Sequence, residues 1–200
     1  MRRLVLATRN EHKLAEMRRI LGPLGFEVEP LPDAVSLPRE DGHTFEANAL
    51  PKARAAAAAL GRPAIADDSG IEAAALGGGP GVRSRRYAGE GATDEQNLLR
   101  LMHDVPRGSE LRYVCALAYV DPGSRSRERR ERVFTRECRG HLAVERRGSR
   151  GFGYDPAFVP DELPAGSRTE TTMAQLAEAQ KDEISHRGRA ARALAAWLLE

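Results

Sequence analysis

The sequence predicts an α/β protein built around a mixed β-sheet flanked by helices. Two observations carry this. Short apolar runs alternate with segments of helical periodicity from the first residues onward. A pair of strand-like runs around residues 111–139 reads as a hairpin, which argues against a cleanly doubly wound parallel sheet. A chain of 200 residues fits one domain, or one domain with two lobes, and is long enough to bury a sizeable core.

The elements follow in order. "RLVLAT" (3–8) is an apolar strand, and Asn10 is a good N-cap for a helix over 11–21. Leu14, Met17 and Leu21 fall on one face of it, and Gly22-Pro23 stops it. Phe26 to Glu29 reads as the next strand, and 30–43, rich in Pro and Asp, as loop. Thr44 caps a helix over "TFEANALPKARAAAAALG", closed by Gly61. Pro51 predicts a kink there, or a helix regular only beyond it. "PAIADDSGIEA" (63–73) reads as a strand ending at Asp67-Asp68, with Ser69 and Gly70 turning the chain.

"LGGGPG" predicts a tight loop or lid. Thr93 caps a helix to about Val105, with Leu98, Leu99, Leu101 and Met102 inward. "LRYVCALAYV" and "RERVFTRECRG" are the strand pair, joined by the charged run "DPGSRSRERRE", a solvated hairpin tip. "GFGYDPAFVP" leads to a Thr-capped helix with Met173, Leu176 and Ala177, and a last helix restarts at Ser185. The predicted order is β-α-β-α-β-β-α-β-β-α.

Composition narrows the function. The chain is 41% hydrophobic and 30% charged, and no apolar run approaches the roughly 18 residues a membrane helix needs. "MRRLVLATRN" is too short in its apolar part for a signal peptide, so a cytoplasmic protein without a membrane partner is expected. Cys115 and Cys138 stand alone, with no CxxC pair, and read as buried small hydrophobes. A net charge of +2 gives no global basic excess, and no nucleic-acid partner is expected. The make-up of the positive charge says more. Only three of the 31 basic residues are lysines, Lys13, Lys52 and Lys181. Lysine is a compact point charge and arginine a wide planar fork, so each lysine is a candidate for a site that needs a small positive group.

The chemistry-bearing residues gather near these lysines. "TRNEHK" (8–13) runs a strand into a helix whose first turn carries Lys13, against the helix dipole, which a bound phosphate would relieve. Lys52 lies one turn after Asn48 on the second helix. In "QKDEISHRGR" (180–189) Lys181 precedes a helix start bearing His186 and Arg187, again a place for an anion. Asp67-Asp68 and Glu40-Asp41 supply hard oxygens of the kind that hold Mg²⁺ beside phosphates. In an extended strand Asp67 and Asp68 point to opposite faces, so they need not share a role. Phe152 and Tyr154, two apart in "GFGYDP", are placed to clamp a flat ring, with Asp155 reading its edge.

The ordered blocks "VLATRN…K", "TFEANA…KA", "AIADDSG", "GGGPGVRSRRYAG", "TDEQNL", "GFGYDPAF" and "ISHRGRA" cover most of the chain. With them the sequence resembles the inosine/xanthosine triphosphate pyrophosphatases, enzymes that cleanse the nucleotide pool of non-standard purines. The resemblance implies one elongated two-lobed α/β domain over 1–200 with a cleft between the lobes, and a homodimer. It implies Mg²⁺-dependent hydrolysis of ITP, dITP and XTP to the monophosphate and pyrophosphate. By motif, Asp68 matches the water-activating acid, and Glu40 with Asp68 the metal-binding positions. Thr8, Asn10, Lys13, Lys52 and Ser69 match the phosphate side, and Arg9 between them is a further substrate-binding candidate. Phe152, Gly153, Tyr154, Asp155, Lys181, His186 and Arg187 match the base and sugar side, where Arg187 would donate to a purine 6-oxo group. The chain departs from the family at Arg9, often Gly, and at Arg83 and Arg85, where many members carry a Tyr and a small residue. Two alternatives remain: a related pyrophosphatase acting on modified pyrimidine nucleotides, and a non-catalytic nucleotide- or RNA-binding module using the arginine-rich surface.

Overall fold

The first strand, β1 (Arg2–Leu6), owes its place to Leu4, Val5 and Leu6, which are buried almost completely. The computed structural model describes residues 2–124 and 130–200. Asn10 then caps α1 (Glu11–Leu21), its side chain accepting from the Lys13 N–H, and Leu14, Met17, Ile20 and Leu21 line the buried face. After a 3-10 turn at Gly22–Leu24 comes β2 (Phe26–Pro30). α2 (Phe45–Leu60) starts at the Thr44 cap and ends at Gly61 in the left-handed conformation. It is already helical six residues ahead of Pro51, so of the two expectations for this residue the helix regular only beyond it is corrected. Pro51 is exposed and is tolerated.

β3 (Ala64–Ala73) is the main correction to the sequence reading. It does not end at the two acids; it runs through Asp67, Asp68, Ser69 and Gly70 to Ala73. Asp and Gly are poor strand formers in isolation, and pairing inside the sheet overrides that preference. The glycine-rich stretch that follows folds as 3-10 turns at Ala74–Leu76 and Gly81–Arg86, so the extra strand expected before the third helix is absent. α3 (Asp94–Asp104) carries a capping box between Thr93 and Gln96. Leu98 and Leu101 are buried, whereas Leu99 faces solvent, contrary to expectation.

β4 (Glu110–Val120) and β5 (Glu131–Leu142) are neighbours in the sheet, as the hairpin reading required. Residues 125–129 of the charged tip expected between them lie outside the described residues. A short β6 (Phe158–Pro160) follows. Thr172 caps only a 3-10 turn (Met173–Gln175), and the helix predicted there starts later as α4 (Glu178–Ile184). α5 (His186–Leu199) closes the chain.

The sheet order is β2-β1-β3-β4-β5-β6. β1 pairs in parallel with both β2 and β3, and β5 pairs antiparallel with β6, so the sheet is mixed and the α/β class holds. By contact density the chain divides into two units: residues 1–69, 115–136 and 187–200, and residues 70–114 and 137–186. The first packs α1 and α5 residues, among them Met17, Leu21, Ala190 and Leu194, with Leu6, Ile65 and Leu117 of the strands. The core of the second joins Ile71, Leu98, Leu101, Tyr113, Cys138, Tyr154, Phe158 and Ile184. Among the described residues no helix is long and apolar enough to cross a membrane.

Candidate active site

Within the first unit the alternation along β3 sends the two acids to different partners. Asp67 is essentially inaccessible. Its Oδ1 forms an ion pair with Lys13, its Oδ2 accepts from Arg187 Nε at 3.1 Å and from the Cys115 thiol at 3.1 Å, and Ser69 Oγ donates to Oδ1 at 3.0 Å. Burial alone would raise its pKa, but the charges of Arg187 and Lys13 outweigh it and hold the carboxyl well below the usual range. The same burial, together with the Asp67 charge, drives the Cys115 thiol well above its ordinary value, so it stays protonated and donates.

Asp68 faces another way. Asn48 Nδ2 donates to its Oδ2 at 3.0 Å, and Lys52 Nζ lies 3.6 Å from its Oδ1. Burial raises the pKa of Asp68, aided by the nearby charge of Glu40, and the attraction of Lys52 and Lys13 only partly offsets this. A carboxyl pushed upward and still partly accessible is suited to take a proton. Lys52 Nζ also binds Glu40 Oε1 at 2.5 Å, so one ammonium bridges the two candidate metal-binding carboxylates. It further donates to the Asp67 carbonyl at 3.1 Å, and Lys13 Nζ reaches the same oxygen at 3.4 Å. The two lysines therefore converge on one peptide group.

The Thr8–Lys13 turn forms as the sequence suggested: Thr8 Oγ1 accepts from the Asn10 N–H at 3.1 Å, and Asn10 caps α1. Two arginines behave differently from expectation. Arg9 turns its guanidinium to the carbonyls of Leu31, Pro32, Asp33 and Val35 and so secures that loop. Arg187, 2% exposed, directs Nη1 to Glu16, Nε to Asp67 and Nη2 to Ser69 Oγ. The anion at this helix start is supplied by the protein's own carboxylates, because a buried guanidinium must be paired. The reading of Arg187 as donor to a 6-oxo group is not carried by this arrangement.

The second unit holds the remaining candidates. Asp155 is buried; its Oδ2 accepts from Lys181 Nζ at 2.6 Å and from the Phe152 N–H at 3.0 Å, and its Oδ1 from the Tyr113 hydroxyl at 3.1 Å. Both oxygens are engaged, so Asp155 holds Lys181 rather than reading a ring edge. Lys181 Nζ sits 4.9 Å from the centroid of the Phe152 ring. Phe152 and Tyr154 do not form the predicted clamp. Gly153 between them has φ +63°, the segment is a turn and not extended, and Tyr154 is buried with its hydroxyl donating to the Ser84 carbonyl at 2.6 Å. His186 is buried and stacks on Tyr113, with centroids 4.7 Å apart and planes within 6°. Arg83 and Arg85 are exposed on their 3-10 turn.

Sequence reasoning overlooked Glu16, Asn48, Cys115 and Tyr113 as members of these clusters. Asn48 had a visible signal, its place one turn before Lys52; Glu16 had a weaker one, an acid three residues after Lys13 on the same helix side. Among the described residues no group of three or more His, Cys, Asp or Glu is placed to hold a metal by itself. The pair Glu40 and Asp68 still fits Mg²⁺, which takes one or two carboxylates and completes its shell with water and phosphate oxygens. Lys52 Nζ lies within 3.6 Å of both, a positive charge set between the two acids.

A mixed α/β fold that gathers two acids, Asp68 and Glu40, beside two converging lysines, Lys13 and Lys52, is that of a protein class handling phosphate-bearing substrates. The comparisons identify which. Residues 4–197 match the Ham1 family, and the chain belongs to it. It is 49% identical over 211 residues to the dITP/XTP pyrophosphatase of Frankia alni, covering 99% of this chain and 98% of that protein. It is 46% identical over 203 residues to the protein of the same name from Cutibacterium acnes, covering 97% and 95%. A HAM1 protein structure from Coxiella burnetii superposes with TM-score 0.81 at 37% identity, covering 100% of this chain and 99% of that one. The Staphylococcus aureus Ham1 protein gives 0.79 at 35%, covering 99% and 98%.

Proposed function

We propose that this chain hydrolyses the non-standard purine nucleoside triphosphates dITP, ITP and XTP to the monophosphate and pyrophosphate. Membership of the Ham1 family and the names of its dITP/XTP pyrophosphatase relatives support this reading. The observation that carries it is Asp68: a carboxyl with raised pKa, fixed by Asn48 and set beside Lys52 and Glu40.

Asp68 takes the proton from a water that attacks the α-phosphorus, and pyrophosphate leaves. Lys13 and Lys52 offset the charge that builds on the phosphoryl oxygens, which is most of what such a transfer needs. Thr8, Asn10 and Ser69 present polar groups to the triphosphate. Glu40 and Asp68 would hold Mg²⁺, which when bound polarises phosphate oxygens and lowers the pKa of water. On the base side Phe152 supplies ring surface and Lys181, fixed by Asp155, a donor for the 6-oxo group. An adenine 6-amino group offers no acceptor there, and an unmatched buried donor is a strong rejection. The protein acts as a soluble cytoplasmic homodimer in this reading.

The test is product analysis with a nucleotide panel of dITP, XTP, GTP, ATP and modified pyrimidine triphosphates in Mg²⁺. Monophosphate and pyrophosphate from dITP and XTP are expected. Orthophosphate with the diphosphate overturns α-phosphorus attack, and preference for a pyrimidine overturns the substrate class.

A further inference from the structure

We infer that Tyr113, through its hydroxyl on Asp155, is a positioning residue that sets the Lys181 ammonium for reading the purine base; this rests on the base-side assignment above. Tyr113 lies in β4, 6% exposed, and touches two of the base-side candidates, Asp155 and His186. Its hydroxyl donates to Asp155 Oδ1, and its ring stacks on His186 and packs against Phe158 with centroids 4.6 Å apart.

The chain of contacts is directional. Asp155 is a buried carboxylate with two oxygens to satisfy. The Phe152 N–H and Lys181 take one, and Tyr113 takes the other. With both filled, the carboxylate cannot rotate, and the ammonium it binds is fixed beside the Phe152 ring. Removing the hydroxyl leaves Oδ1 of a buried carboxylate without this partner, and the group turns to recover one, carrying Lys181 with it.

Gly151 shows how little room the arrangement leaves. Its φ of +74° favours glycine, and a Cβ built there would collide with the Asp155 carboxylate and come within 3.2 Å of Lys181 Nζ. Tyr113 thus holds Asp155 from the strand side while bare backbone confines it at Gly151.

The experiment measures kcat and KM for dITP in wild type, Tyr113→Phe, Lys181→Met and the double variant, with thermal melting of each. Tyr113→Phe is expected to raise KM about tenfold, the size of one hydrogen bond to a charged group, with kcat changed by less. In the Lys181→Met background the same substitution is expected to add nothing, because the group it positions is gone. An unchanged KM, or effects that multiply in the double variant, overturns the role of Tyr113; a merely structural tyrosine gives the multiplying result. Gly151→Ala, which keeps the hydroxyl, is expected to raise KM likewise, and a normal KM in both variants also overturns the inference. Wild-type protein that releases no pyrophosphate from dITP overturns the functional reading itself, and the inference falls with it.

Discussion

Asp67 and Asp68 are adjacent in β3, yet their surroundings push their pKa values in opposite directions: Asp67 well downward and Asp68 upward. The pleat explains it. Both carboxyls are buried, but Asp67 meets Arg187 and Lys13 directly, whereas Asp68 has Asn48 and a more distant Lys52, opposed by the charge of Glu40. The first is fixed as an anion; the second is left able to exchange a proton.

Asp68→Asn separates activity from stability. Its folded pKa lies above the unfolded value, so its contribution to stability is present below the unfolded pKa and is lost as pH rises through the folded one. At pH 7 the wild type carries that penalty. Asp68→Asn should therefore melt at a higher temperature at pH 7 without divalent ions, while pyrophosphate release falls about a hundredfold or more. Near-normal turnover would reject its role as base.

Asp67 should govern the acid limb. Its folded pKa is depressed, so its contribution is present above the unfolded pKa, about 3.9, and is lost as pH falls through the lower folded value. Urea midpoints should drop below about pH 4 on this account. Asp67→Asn, which leaves a buried guanidinium underpaired, should cost about 3–5 kcal/mol at pH 7 and flatten the acid limb. Parallel curves for the two proteins would show that another group is responsible.

The bridge from Lys52 to Glu40 and Asp68 predicts a divalent-ion response without nucleotide. Lys52→Met should lower the melting temperature in EDTA, and millimolar Mg²⁺ should raise it more in the variant than in wild type. EDTA should also stop pyrophosphate release. If Mg²⁺ shifts neither melting curve, Glu40 and Asp68 are not its ligands.

Glu16 and Arg187 are predicted to act as one structural unit. Glu16→Gln and Arg187→Met should each lower stability, and their effects should fall short of additive because they share one ion pair. A loss confined to base selectivity, with unchanged melting, would favour the reading of Arg187 as a base contact.

Local signals were the legible part of this chain. Asn10, Thr44 and Thr93 cap helices where their short polar side chains and the following periodicity said they would. Asp68 and Glu40 were singled out because paired acids near lysines are chemically conspicuous, and both lie against Lys52. Long-range pairing was not legible. That β3 continues through Asp67–Gly70 depends on pairing within the sheet, which overrides the low strand preference of Asp and Gly. That Arg187 pairs with Glu16 joins residues 171 positions apart. Tyr154 was misread because one left-handed glycine, Gly153, turns what an alternating pattern treats as a strand.

The scarcity of lysine has a practical sequel. Lys13, Lys52 and Lys181 have side chains only 14%, 6% and 8% exposed, and each is held by a carboxylate. The outer surface thus offers arginine almost wherever it offers positive charge, and side-chain amine chemistry is confined to the residues assigned to substrate. A lysine-directed reagent should leave the bulk of the molecule unmarked, so covalent labelling at any one of the three becomes a direct readout of when its own ion pair breaks.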